Sequence, residues 1–260
     1  MSDERNDRSK RNEVFSANNP QGLPSRNVMK DDFGFEVPVE AVPLPSRGVC
    51  YPSDSPLYGK ETVDIRSMTA REEDILSSQA LLKEGTVLDH LIKSCVTDQG
   101  IEPSDMMMGD RNALMVAIRI TGYGAEYSVD VECPECGERS KQDFDLANLP
   151  INALALDPLI PGENIFEFML PLTQKVVHFK FLTGRDEQEI STIAERKKKK
   201  GIVNDNSVTT RLRHSIISIG GITDRNKVNI FIGNMPARDS LALRKFIDKN
   251  EPGIDMKSWM

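Results

Sequence analysis

The sequence predicts an α+β fold, and three observations carry that reading. Residues 125–146 alternate apolar and polar positions on both sides of Cys133-Pro134-Glu135-Cys136-Gly137, the pattern of two antiparallel strands closed by a tight turn. On each flank of this hairpin a short alternating strand runs through a threonine into helical periodicity, Thr62–Ser67 before Thr69 and Lys175–Leu182 before Thr183. The flanks also resemble each other in order. VDIRSMTAREE (63–73) aligns without a gap on VHFKFLTGRDE (177–187), TVLDHLIKSCVTDQGI (86–101) on SVTTRLRHSIISIGGI (207–222), and RNAL (111–114) on RDSL (238–241). Duplicated strand–helix–helix–helix units flanking a central Cys-x-x-Cys β-hairpin account for that order. The alternative is that capped helices after strands look alike by chemistry alone.

Composition divides the chain further. Residues 1–32 are polar, and their charges cancel: Arg5, Arg8, Lys10, Arg11, Arg26 and Lys30 stand against Asp3, Glu4, Asp7, Glu13, Asp31 and Asp32. Such a stretch buries too little apolar surface to offset its ordering entropy, so a disordered N-terminal tail is expected. Residues 33–58 carry prolines at 38, 43, 45, 52 and 56, which withhold backbone donors and exclude helix. They read as an extended arm along the body or along a neighbouring subunit. Val37, Val39, Val42 and Leu44 supply its apolar contacts to a partner. Pro45-Ser46-Arg47-Gly48 reads as a turn anchoring the arm, with Arg47 available for a carboxylate. Residues 59–124 then form a first α/β unit, 125–146 the hairpin, and 147–260 a second α/β unit.

Within the first unit, Thr69 with Glu72 is a capping box opening a helix to about Lys83, and Gly85 breaks it. Thr86 caps the next helix, whose Val87, Leu88, Leu91, Ile92 and Cys95 share one stripe. Asp110 caps a third, with Leu114, Met115 and Ile118 turned inward. In the second unit, the helix from Arg185 to about Lys200 has acids at its start and Arg196 to Lys200 at its end, an order that matches the helix dipole.

The net charge of −7 argues against nucleic acid as the main partner, because phosphate binding needs a basic face. No apolar run reaches the roughly 18 residues of a membrane span. Four cysteines without a signal peptide point to a reducing cytosol. Cys133 and Cys136 have the spacing of a zinc knuckle, and zinc is the one cofactor the chain suggests. No cysteine follows Cys136, so the second ligand pair is missing. Cys133 and Cys136 from two copies would complete a tetrahedral set, which keeps a homo-oligomer open. Phosphate-loop, H-E-x-x-H and G-x-S-x-G patterns are absent, and His90, His178 and His214 are scattered, so an enzyme is not expected.

LPSRGVCYP (44–52), VDIRSMTAREED (63–74), GDRNALMVAIRITGYGAEY (109–127) and VECPECGE (131–138) occur in this order. Together they resemble the T4-type phage baseplate hub subunit and hub assembly proteins of contractile tails, over roughly residues 35–250. The resemblance implies a structural or chaperone-like assembly role in the baseplate hub, with other hub proteins as partners and no catalytic residues. It places the protein in the host cytoplasm during assembly and in the virion tail baseplate. The other function class is a zinc-knuckle nucleic-acid-binding or regulatory adaptor using the Lys197–Lys200 tip. Net acidity and the missing cysteine pair favour the first.

Overall fold

The computed structural model describes residues 27–30, 34, 36–132, 136–201 and 206–255. Its fold is α+β, built from small antiparallel sheets and helices. The first sheet has the order β1 (Asn27–Lys30), β2 (Glu36–Pro43), β3 (Thr62–Arg66), with β2 in the middle. Val39 lies opposite Arg66, and Val42 opposite Val63. Within the proline-rich stretch, residues 36–43 are therefore extended and laid along the protein's own body, whereas 45–50 and 53–59 fold into turns, so the stretch is not extended throughout. Residues 27–30, assigned to the disordered tail by composition, pair with β2 from Asn27↔Val39 to Lys30↔Glu36. Backbone pairing asks little of side-chain hydrophobicity, so composition does not register this strand.

Thr69 and Glu72 form the expected box: the Thr69 amide donates to Glu72 Oε2 at 2.8 Å and its hydroxyl to the same oxygen at 2.7 Å. The helix they open is interrupted. Helix α1 (Ala70–Ser77) stops at Ser78, which has extended backbone, and α2 (Gln79–Glu84) ends at Gly85. Helix α3 (Val87–Cys95) buries Leu91, Ile92 and Cys95. The chain then returns through Val96, which bridges Ile65 of β3. Helix α4 (Met108–Tyr123) crosses the core on Ala113, Leu114, Ala117 and Ile118. Its cap is Met107, not Asp110. Asp110 sits inside the first turn, and its carboxylate serves partners outside the helix.

The hairpin forms as β4 (Glu126–Glu132) and β5 (Arg139–Asp145), with Tyr127 opposite Phe144 and Val131 opposite Ser140. Most of its residues are exposed.

After β6 (Ile151–Asn152), the second half places β8 (Val176–Phe179) between β7 (Phe166–Met169) and β9 (Ile216–Ile219) in one antiparallel sheet. Thr183 and Asp186 box the start of α5 (Gly184–Lys199), as Thr69 and Glu72 do for α1. Next come α6 (Ser207–Ser215), α7 (Arg225–Asn234) and α8 (Ala237–Asn250), before β10 (Gly253–Ile254) pairs with β6. The rings of Phe166, Phe179 and Phe181 are fully buried against one another, each contributing about 2–3 kcal/mol of burial. One apolar core runs through both halves. They join where the Met108 amide donates to Leu182 and the Gly184 amide to Met106, at 3.0 and 2.9 Å.

Candidate interaction site

The turn predicted at 45–48 is built around a buried polar cluster. Leu44 enters the core while its amide donates to Glu61 at 2.8 Å. Arg47 and Gly48 both take left-handed backbone, φ 56° and 69°. A Cβ at position 48 would lie 2.5 Å from the Lys60 amide nitrogen, so the site demands glycine in both conformation and space. Just before them Ser46 is 0% exposed. Its amide donates to Asp110 Oδ1 at 2.8 Å and its hydroxyl to Oδ2 at 2.5 Å. The Tyr51 hydroxyl donates to the same Oδ2 at 2.6 Å and accepts from the Met107 amide at 3.0 Å. Asp110 thus ties the turn, the chain beyond it and the start of α4 into one knot.

Burial pushes the Asp110 carboxyl above its ordinary range, against the pull of the Ser46 and Tyr51 hydrogen bonds. Burial first, then the neighbouring Asp110, drives the Tyr51 hydroxyl well above its own. The same two causes lift the Cys50 thiol to about 12, and burial with Glu72 nearby lifts Cys95 to about 11. Both thiols are held protonated in the core at neutral pH.

The partner-contact residues read from the sequence separate here. Val42, Leu44 and Ser46 are buried within this chain, so their contacts are internal. Val37 and Val39 are half-buried on β2. Arg47 is exposed, and its guanidinium donates to the Leu154 carbonyl at 2.9 Å, a backbone oxygen where a carboxylate was expected. Cys136 is exposed on the hairpin, and Cys133 lies outside the described residues. Among the described residues no group of three or more His, Cys, Asp or Glu side chains could hold a metal ion.

Two buried acids were not legible as site residues. Asp110 was read as a helix cap. Asp239, 0% exposed in the first turn of α8, accepts from the amides of Leu172 and Thr173 at 2.7 and 3.0 Å. In both cases a Leu-Pro turn before a strand is held by an aspartate at the start of a later helix. The Leu-Pro dipeptides at 44–45 and 170–171, two of the four in the sequence, were the available signal.

The family model described as T4 bacteriophage base plate protein matches residues 51–249. The chain belongs to that family. No curated protein and no solved structure matches it. In this baseplate protein the matched stretch contains Tyr51, Asp110, the hairpin and, among the described residues, every helix up to Lys249 of α8. No helix among its described residues is long and apolar enough to cross a membrane.

Proposed function

We propose that this baseplate protein builds, or helps to assemble, the central hub of a contractile tail through protein–protein contacts and without catalysis. The family match over residues 51–249 carries the reading. The chemistry of the core supports it. The buried carboxylates of Glu72, Asp110 and Asp239 each serve several donors that hold backbone in place, the arrangement of a scaffold. On the arm, Val37, Val39 and Arg47 are the residues assigned to partner contact, and a zinc shared by Cys133 and Cys136 of two copies would add a second contact. The two halves, each with a boxed threonine and an aspartate-held Leu-Pro turn, are read as copies of one unit. Other hub proteins are the partners, met in the host cytoplasm during assembly.

The test is mass spectrometry on purified virions beside tails made by phage lacking this protein. Presence in the virion assigns a resident hub component, and absence with stalled hub intermediates assigns a transient assembly factor. Complete tails made without the protein would end the hub reading.

A further inference from the structure

Helices α1 and α3 pack side by side in the first half, and a groove of about 430 Å³ lies between them. Arg71 and Ile75, one turn apart on α1, face His90, Lys93 and Ser94 on α3, with Arg66 beneath. No acidic side chain lines the groove. The Arg66 guanidinium is taken up by Glu72, with contacts at 3.1 and 2.7 Å. Lys93 reaches Glu102 in an exposed ion pair. The side chains of Arg71 and His90 have no hydrogen-bond or ion-pair partner among the described residues.

The second half shows what fills such a place. There α5 sends acids across to α6: Glu187 takes Arg211 with both oxygens at 2.8 Å, while Asp186 and Glu189 lie 3.6 and 3.7 Å from His214. In the sequence alignment of the halves, Arg211 falls on His90 and His214 on Lys93. Asp186 falls on Glu72 and Glu187 on Glu73, and two residues further in the same register Glu189 falls on Ile75. The first half therefore has isoleucine in place of one of these acids, and Glu72 in place of Asp186 is taken up by Arg66 and Ser94. The third turns away, since Glu73 accepts from the Tyr123 hydroxyl at 3.1 Å. Lys93 pairs instead with Glu102, and Arg71 and His90 face the groove with no carboxylate among the described residues to answer them.

We propose that the groove between α1 and α3 binds the carboxylate side chains of an acidic segment on a partner protein. The proposal rests on the reading that this protein works by protein contacts. A net charge of −7 opposes a polyphosphate chain, whereas one or two carboxylates meet only the local field. The open, donor-lined groove has Ile75 as its one apolar side chain, unlike the mostly apolar pockets that enclose small ligands. Arg71 supplies the planar fork suited to a carboxylate, and His90 and Lys93 flank it.

The experiment titrates the isotope-labelled full chain with a blocked Gly-Glu-Ala-Glu-Gly peptide, its glutamine counterpart and inorganic phosphate, followed by amide shifts. The glutamate peptide should move the amides of residues 71, 75, 90 and 93, the glutamine peptide should not, and phosphate should bind more weakly. Arg71→Ala should weaken the peptide about tenfold, the worth of one charged hydrogen bond. Ile75→Glu, which installs the acid of position 189, should abolish binding while the protein stays folded. Equal shifts from both peptides, tighter binding of phosphate, no shift at all, or wild-type binding by folded Ile75→Glu would each overturn the proposal. Failure here while phage lacking the protein still make no tails would sink the groove alone and leave the hub reading standing.

Discussion

Asp110 grips Ser46 twice across 64 residues of sequence, by its amide at 2.8 Å and by its hydroxyl at 2.5 Å. Tyr51 adds a third donor to the same buried carboxylate. Removing the acid leaves several donors in the core without an acceptor, each costing about 1–3 kcal/mol. Asp110→Ala is expected to destabilise the protein by about 3–5 kcal/mol in urea unfolding, and Asp110→Asn by less. Exposed Arg47→Ala should cost under about 1 kcal/mol. A Ser46→Ala/Asp110→Asn double-mutant cycle should show strong coupling; additive effects would mean that the turn holds itself.

Acid should expose Glu72. Burial pushes its carboxyl up, but hydrogen bonds from Arg66, Ser94 and Thr69 outweigh burial and hold it at about 2. A folded pKa below the unfolded one stabilises the protein above the ordinary glutamate range, and that contribution is lost as pH falls from about 4.5 towards 2. The shift corresponds to about 3 kcal/mol. Asp110 has the opposite sign: its raised pKa lowers stability as pH rises through the window above its ordinary value. Unfolding of wild type and Glu72→Gln from pH 6 to pH 2 separates the two. The gap should be widest at pH 6 and close near pH 2, and parallel curves would refute the assignment.

Gly109 has another role. A Cβ there would lie 1.8 Å from the Pro252 carbonyl oxygen, because Pro252 and the start of β10 cross directly over the first turn of α4. Gly109→Ala is expected to push that segment away, break the β6–β10 pairing and cost about 2 kcal/mol. Hydrogen exchange should speed up at Gly253 and Ile254. Unchanged exchange would show that the backbone yields elsewhere.

What the sequence made legible was local. The boxes at Thr69–Glu72 and Thr183–Asp186, the hairpin from Glu126 to Asp145 and the stripe on α3 all depend on residues a few positions apart. What it hid was non-local. Ser46 reads as a turn residue until Asp110 is seen beneath it, and Cys50 reads as arm until Asp110 and the core close around it. Strand β1 depends on backbone pairing with β2. Of the candidate site residues, Val42, Leu44 and Ser46 were visible as a special stretch, but the direction each side chain takes was not.

Zinc is the next test. Cys136 is exposed at the hairpin, and two thiols per chain cannot close a tetrahedral site alone. If two copies share an ion, metal analysis should find about one zinc per two chains, and Cys136→Ser should lose both the zinc and the dimer. A folded, zinc-free monomer under reducing conditions would reduce the motif to a turn.

The arm offers the last prediction. Replacing residues 37–48 with a Gly/Ser linker removes Val42 and Leu44 from the core and Ser46 from Asp110, so that chain is expected not to fold cooperatively. Recognition must be tested on residues whose loss the fold tolerates. Val37 and Val39 are half-buried, and Arg47 is exposed beyond its bond to Leu154. A Val37→Thr/Val39→Thr/Arg47→Ala chain should lose no more than about 2 kcal/mol, since β-branched threonine keeps the strand. Its folded state is checked by urea unfolding, and its function by the yield of complete tails when it replaces wild type in infected cells. If the arm contacts a hub partner, the tail yield should fall about tenfold, the effect of about 1.4 kcal/mol at an interface. Normal tail yield from the folded variant would assign the arm to holding this chain together and to nothing else.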